Sequence, residues 1–474
     1  MCQGRGRWCD RGVGPGTGSG PYRVEGVPVR FTGVGRPGPA VVVAGVLVGV
    51  VAAGPAAHAR AGETAPGGKA APGWEAVRSG EAAPARGWVA VWGAAPQRPV
   101  AGDGESGPNW SREGFAGESV RQVVRISAGG SRVRIRISNV YGTRPLRVAG
   151  AAVGRSAGEA RVWPGSTRAL RFGGAASTVI PPGREALSDA APLTTSPLEK
   201  LAVTLRFDGA TGPATFHRVS TATAYRARGN RLADDAGEAF TRRSASWYHL
   251  TGVETSGAGA PRRAVAVFGD SLVDGVGATP GADRTYPDGL AERYAGAGRR
   301  VGVVNAGIAG NALLRDSPCF GDRAAKRFRR DVLDRPGVSA VIIHLGGNDI
   351  GARKAGNACL RPDPKLSARR LIDAHKALIR AARARGLKAV GVTILPMKGA
   401  LFPFWSEPGE RIRDEVNRWI RTGGAYDEVI DAARVLADPA DPDRPRPGHV
   451  YADGLHPNDT GYHTLTAATP LTLP

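Results

Sequence analysis

The stretch 265-VAVFGDSLVDGVGAT-279 decides how the second half of this 474-residue chain is read. Four apolar residues run straight into Gly269-Asp270-Ser271, and a glycine-rich turn follows. An apolar run of strand length that breaks into small polar residues marks a strand handing over to a helix. Ser271 stands at that junction. A serine there either caps the helix N-terminus or presents its hydroxyl as a nucleophile. The elbow that many catalytic serines occupy reads Gly-x-Ser-x-Gly, and Val273 fills the place of its second glycine. The stretch alone leaves both readings open.

Working outward, the same texture recurs. The runs 264-AVAVFG-269, 301-VGVVNA-306, 338-VSAVIIHLG-346 and 387-LKAVGVTIL-395 are mostly apolar, as strands buried on both faces must be. Between and after them, helical patterns are expected at 287–297, 322–334, 365–385 and 408–421. In the third, Leu366, Leu371, Ile372, Ala374, Leu378 and Ile379 make one apolar stripe, and Gly386 closes it. Strand–helix alternation over 264–474 predicts an α/β domain with a doubly wound parallel sheet, whose functional loops lie at the C-terminal ends of the strands.

The preceding half reads differently. In 131-SRVRIRISNV-140, Val133, Ile135 and Ile137 share one face and three arginines the other; 201-LAVTLRF-207 repeats the alternation. Gly129-Gly130 and Pro181-Pro182-Gly183 punctuate the segment. An all-β sandwich or jelly-roll domain is expected over 87–250, with a linker at 251–263. Residues 60–86, rich in Ala, Gly, Pro and Glu, read as a flexible tether.

Ahead of it, Arg30 and Arg36 precede the apolar run 40-AVVVAGVLVGVVAAG-54, and Ala57-His58-Ala59 follows. That is the pattern of a secretory signal within a leader of residues 1–59, cleaved after Ala59, with an uncleaved membrane anchor as the other reading. The expected destination is extracellular, with membrane contact only through this segment. The net charge of +22 raises nucleic acid as a partner. Residues 1–60, however, hold seven arginines against Asp10 and Glu25, and later basic residues are scattered apart from short clusters such as 323-RAAKRFRR-330. A solvated basic surface is the expectation, with no nucleic-acid partner and a monomeric chain. Removing the leader takes Cys2 and Cys9 with it. Cys319 and Cys359 remain, an even number, and their pairing in a disulfide is expected, two separate buried thiols being the alternative. Neither has a second Cys or His at metal-ligand spacing.

Four strand-end loops carry chemistry: Gly269-Asp270-Ser271, 305-NAGIAGN-311, 346-GGNDIG-351 and, near the end of the chain, 451-YADGLHPND-459. Acyl transfer needs a nucleophile, a base, a group that orients the base, and donors for the developing oxyanion. Ser271 is the candidate nucleophile. Asp453 and His456, three residues apart, can form the carboxylate–imidazole pair. The N–H groups of Ser271 and Gly310 with the Asn348 amide are candidate oxyanion donors. Asp270 and Asp349 read as loop-fixing or capping residues, while Asp274 stays ambiguous. His344, His375, His449 and His463 read as structural or solvated, and His217 and His249, in the β-rich half, as unconnected with catalysis.

The blocks GDSL at 269–272, NAGIAGN, GGND and DGLHP resemble, in order, those of the SGNH (GDSL) hydrolase superfamily. The resemblance covers about 262–474. It implies a flavodoxin-like sheet and carries the roles of nucleophile to Ser271, oxyanion donors to Gly310 and Asn348, and the Asp-x-x-His pair to Asp453 and His456. Upstream, residues 119–148 resemble the β-rich domain of a secreted bacterial branch, in which a tryptophan is expected where Tyr286 stands. The expected activity is serine ester hydrolysis without metal or cofactor, on acetyl groups of carbohydrate or other small acyl esters. Alternatives are a lipase or lysophospholipase, or a glycan- or cell-wall-binding protein with secondary hydrolase activity. The loop 396-PMKGALFPFW-405 is a substrate wall or packed core.

Overall fold

In the computed structural model, residues 87–102, 107–355 and 358–472 are described. The leader and tether expected at 1–86 lie outside them. No helix among the described residues is long and apolar enough to cross a membrane.

The N-terminal half is a pair of antiparallel sheets. One has four strands in the order Trp88–Gly93, Leu250–Ser256, Arg132–Ser138, Glu185–Leu187. The other has six, with Glu118–Arg125 and Lys200–Phe207 at its centre. Val133, Ile135 and Ile137 from one sheet and Leu201, Val203, Leu205 and Phe207 from the other are fully buried in a single core. The alternation in the sequence thus pointed the right side chains inward.

One boundary moves. The expected linker 251–263 begins with a central strand, Leu250–Ser256, paired on both sides. Val253 faces the core, and Glu254 bridges Arg134 and Arg136 of the neighbouring strand. Its polar residues face charges more than 100 positions upstream, so nothing local marks it as a strand. The sandwich therefore reaches Ser256.

The elements of the second half that frame its main sheet are, in chain order, β1 (Arg263–Gly269), α1 (Ser271–Asp274), α2 (Tyr286–Gly296), β2 (Val301–Gly307), β3 (Val338–His344), α3 (Gly347–Ala355), α4 (Ala368–Arg383), β4 (Lys388–Val392), α5 (Glu407–Thr422), β5 (Glu428–Ile430) and α6 (Asp459–Ala467). The five strands are all parallel, in the order β2-β1-β3-β4-β5, the flavodoxin-like arrangement. Along β1, Val265 and Val267 pack on one face of the sheet with α2 and α6. Ala266 and Phe268 pack on the other with α4 and α5. Burial on both faces explains the unbroken apolar runs. The helix expected over 322–334 is a short α-helix, Ala324–Phe328, running into a π-turn at Arg329–Leu333.

The two halves share an extensive boundary. The sheet edge at β2 lies beside strand Trp88–Gly93. A side chain at Gly302 would come within 2.2 Å of the Ala90 carbonyl oxygen, so only glycine permits this approach. Ser127 Oγ accepts the Val303 N–H at 2.7 Å, and Tyr141 donates its hydroxyl to Asp322 at 2.9 Å. The sandwich covers an edge that would otherwise offer unpaired backbone groups.

Candidate active site

In the order β2-β1-β3, the chain leaves β1 in one direction and β3 in the other, and ligands of doubly wound sheets bind in the crevice at that switch point. Ser271 follows β1 there. The capping role falls to the residue before it. Asp270 is the N-cap of α1, its Oδ1 accepting the Leu272 N–H at 3.3 Å and also facing His344 Nδ1 at 2.9 Å. The Ser271 hydroxyl is left to His456, whose Nε2 lies 2.8 Å from its Oγ.

His456 comes from the loop before α6, and its Nδ1–H donates to Asp453 Oδ2 at 2.5 Å. The other oxygen of Asp453 accepts the N–H groups of Leu455 and His456 at 2.9 and 3.0 Å. Burial pushes the Asp453 carboxyl up, but the His456 contact and these donors outweigh it and hold it below its ordinary value. With Nδ1 committed as donor, the tautomer places the lone pair of Nε2 toward the serine. The chain Asp453–His456–Ser271 is therefore continuous.

Gly310 and Asn348 sit on the two flanking loops. Gly310 adopts φ +76°, and the Phe320 ring packs so closely on it that a side chain would collide. Asn348 lies in the first turn of α3, nearly buried, and donates from Nδ2 to the Asn311 carbonyl at 3.0 Å, which joins the second and third motif loops. Asn348, Ser271 and His456 line one cavity. Asp349 fixes the neighbouring turn by accepting the N–H groups of Leu313 and Leu314 at 2.7 and 3.0 Å; its burial pushes its pKa up to about 6.

That cavity has a volume of about 40 Å³ and an apolar wall of Ile394, Leu395, Met397, Phe404 and Leu455. Beside it opens a cleft of about 770 Å³ between the two halves. Its walls include Arg218, Ser220 and Thr221 of the sandwich, and Phe402, Tyr451 and Asp453 opposite. The loop 396–405 serves as both core and wall. Met397 and Phe404 are buried, Phe402 faces the cleft, and Leu401 is 79% exposed. Tyr286 is fully buried, its hydroxyl 2.9 Å from Thr469 Oγ1, and lines neither space.

Three residues that matter to this geometry carry no motif. Arg327, within the cluster read as a solvated basic face, is wholly buried. It donates to the carbonyls of Gly269 and Ala306 at 2.7 and 2.8 Å and to Asn311 Oδ1 at 2.9 Å, tying the ends of β1 and β2 together. Burial lowers its pKa against the pull of Asp331. His217, expected to be unconnected with catalysis, reaches from the sandwich to Asp274 at 2.8 Å, and Asp274 in turn accepts the Ala309 N–H at 2.7 Å. The π-turn after Arg327 and the 57-residue gap between His217 and Asp274 explain why no local spacing announces them.

Cys319 and Cys359 form a disulfide, with Cα atoms 5.4 Å apart, next to the Phe320 ring that covers Gly310. Among the described residues, Glu410, Asp414 and Asp443 are the one group of potential metal ligands close together, and Arg413 is ion-paired to each of them.

Residues 267–464 match the family described as GDSL-like Lipase/Acylhydrolase. No curated protein matches the chain significantly. Among solved structures, a lipolytic protein of the G-D-S-L family from Desulfitobacterium hafniense is 20% identical, covering 43% of this chain and 96% of its own, with a TM-score of 0.32. The lipase/acylhydrolase from Enterococcus faecalis is 21% identical over 44% of this chain and 92% of its own, with a TM-score of 0.33. The psychrotrophic esterase EstA from Pseudoalteromonas sp. is 16% identical over 44% and 93%, with a TM-score of 0.32. The motif order, the sheet topology and the family match concern the same half of the molecule: residues 267–464 are similar to the GDSL-like lipase/acylhydrolase family.

Proposed function

We propose that the protein is a serine carboxylic-ester hydrolase in which Ser271 is the nucleophile, His456 the general base and acid, and Asp453 the orienting carboxylate. The observation that carries this reading is the unbroken chain from Asp453 Oδ2 through His456 to Ser271 Oγ at the switch point of the sheet. Ser271 Oγ attacks the ester carbonyl while His456 Nε2 takes its proton. The N–H groups of Ser271 and Gly310 and the Asn348 amide bind the oxyanion. His456 returns the proton to the departing alcohol. Water, deprotonated by the same imidazole, then attacks the acyl-enzyme and releases the acid. The residues present suffice for these steps without a metal or cofactor.

The cavity at Ser271 and the cleft that Asp453 lines favour a substrate class. The apolar cavity of about 40 Å³ has room for an acyl group of acetyl size. The cleft of about 770 Å³, lined by both halves and mixed in character, has room for a bulky polar alcohol. A short acyl group on a large polar partner is an acetylated carbohydrate, which we take as the substrate in preference to long-chain lipid esters. We further propose that the chain acts as a monomer outside the cell after cleavage behind Ala59.

An ester panel from p-nitrophenyl acetate to palmitate, with acetylated xylan, tests this. The expected rates fall with acyl length, acetylated xylan is deacetylated, and Ser271→Ala and His456→Ala are each inactive but folded. Undiminished activity in either variant would remove the triad. A preference for palmitate would remove the substrate class.

A further inference from the structure

His217 faces two acceptors. Its Nδ1 lies 2.9 Å from the Ala95 carbonyl oxygen, and its Nε2 lies 2.8 Å from Asp274 Oδ1. A carbonyl cannot donate, so Nδ1 carries a proton. A second proton lies between Nε2 and the carboxylate, whose other oxygen is already occupied by the Ala309 N–H. The pair is sealed, with side-chain exposures of 4% and 1%. Burial pulls the imidazole toward neutrality, but Asp274 and the backbone carbonyl more than compensate, and its affinity for a proton is raised. The Trp247 ring packs against it, 5.5 Å away between centroids.

Asp274 is placed where three parts of the molecule meet. It ends α1, three residues after Ser271. Its backbone carbonyl faces Asn305 Nδ2 at 3.4 Å, and Gly307 presses so closely on its backbone that a side chain there would come within 2.3 Å of Asp274 N. Its side chain holds Ala309 N–H, one residue before the oxyanion-donor candidate Gly310. His217 is itself rigidly held, in a strand pair Phe216–His217 with Trp247–Tyr248, beside Gln97, whose side chain accepts the Arg218 N–H at 2.9 Å.

We propose that His217 is a positioning residue for ester hydrolysis: acting through Asp274 it fixes the Ala309–Gly310 turn beside Ser271, so that the β-sandwich completes the oxyanion-binding geometry of the α/β half. This rests on the esterase reading above. Without the imidazole, a buried carboxylate loses its partner, and the Ala309 N–H loses an acceptor held in one place. The oxyanion exists only in the transition state, so the loss falls on kcat and leaves KM.

The test uses the full chain with p-nitrophenyl acetate, and hydrogen exchange of the peptide that contains Ala309. Wild type and Ser271→Ala come first. If wild type is inert, or Ser271→Ala is not, the esterase reading fails and this inference falls with it. Given that activity, His217→Phe and Asp274→Ala should each lower kcat about 10- to 100-fold, less than the roughly 10²- to 10³-fold cost of removing an oxyanion donor outright, with KM changed less than about 2-fold. The Ala309 amide should exchange faster in both. Asp274→Asn can accept from Ala309 through Oδ1 and donate to a neutral His217 through Nδ2, so it should regain at least about 5-fold in kcat over Asp274→Ala. Unchanged kcat in His217→Phe, a change confined to KM, or equal loss in the Ala and Asn variants would each overturn the proposal. If His217→Phe does not fold, His217→Gln is read by the same criteria.

Discussion

Two histidine–carboxylate pairs flank the short helix Ser271–Asp274 and use the same residue types for different work. His456–Asp453 is open, with side-chain exposures of 10% and 19%, and its distal nitrogen meets a hydroxyl that can give up a proton. His217–Asp274 is sealed, and the second ring nitrogen of its histidine meets a backbone carbonyl, which can only accept. What faces the second ring nitrogen, and whether water reaches it, separates a group able to exchange protons from one that holds a loop. His375 supplies a third case. Its Nε2–H donates to the Leu345 carbonyl at 3.3 Å and its Nδ1 accepts from the Tyr426 hydroxyl at 2.6 Å, so it is satisfied as a neutral ring. Burial holds its pKa down at about 4.

The comparison breaks most visibly at the open pair. Asp453→Asn leaves room for an imidazole but offers an amide donor where Nδ1–H needs an acceptor, and kcat should fall about 10³- to 10⁴-fold. A loss as small as 10-fold would mean that the carboxylate does not set the tautomer. Next comes the brace over Gly310. Reducing the disulfide, with its sequence separation of 40, or replacing Cys319 with Ser, should cost about 4 kcal/mol by the loop-closure estimate and lower the melting temperature.

A smaller effect sharpens the distinction between charged and neutral rings. His249, like His375, is fully buried with its pKa lowered to about 4 by desolvation. The unfolded chain binds protons at these rings below about 6.5 and the folded chain only below about 4, so stability falls as pH drops through that window. Each ring contributes about 3 kcal/mol to the fall. In denaturant titrations, His249→Phe should flatten the loss between pH 6.5 and 4 relative to wild type. An unchanged slope would show that His249 is already charged in the fold. The smallest effect is expected at Trp163, 59% exposed on the sandwich, where Ala should change stability by less than about 0.5 kcal/mol.

The candidate loops were legible because the first three follow strands apolar on both faces and all four carry residues whose chemistry is local. Asp453 and His456 are three apart, and the glycines mark turns. The fifth strand, Glu428–Ile430, is too short to show a period, and α6 follows the fourth motif without an apolar run. Leu250–Ser256 read as a linker because the arginines that match Glu254 lie on another strand. His217 and Arg327 were read as unconnected or solvated for a related reason. Their partners are backbone carbonyls and a carboxylate brought near by the fold, and nothing in the neighbouring sequence encodes them.

The most direct test of the central claim is covalent labelling with p-nitrophenyl ethylphosphonate, followed by peptide mass spectrometry. One adduct is expected, on Ser271, formed in step with loss of esterase activity and absent from Ser271→Ala. Activity that disappears with the label on another residue, or survives with Ser271 fully modified, would contradict it.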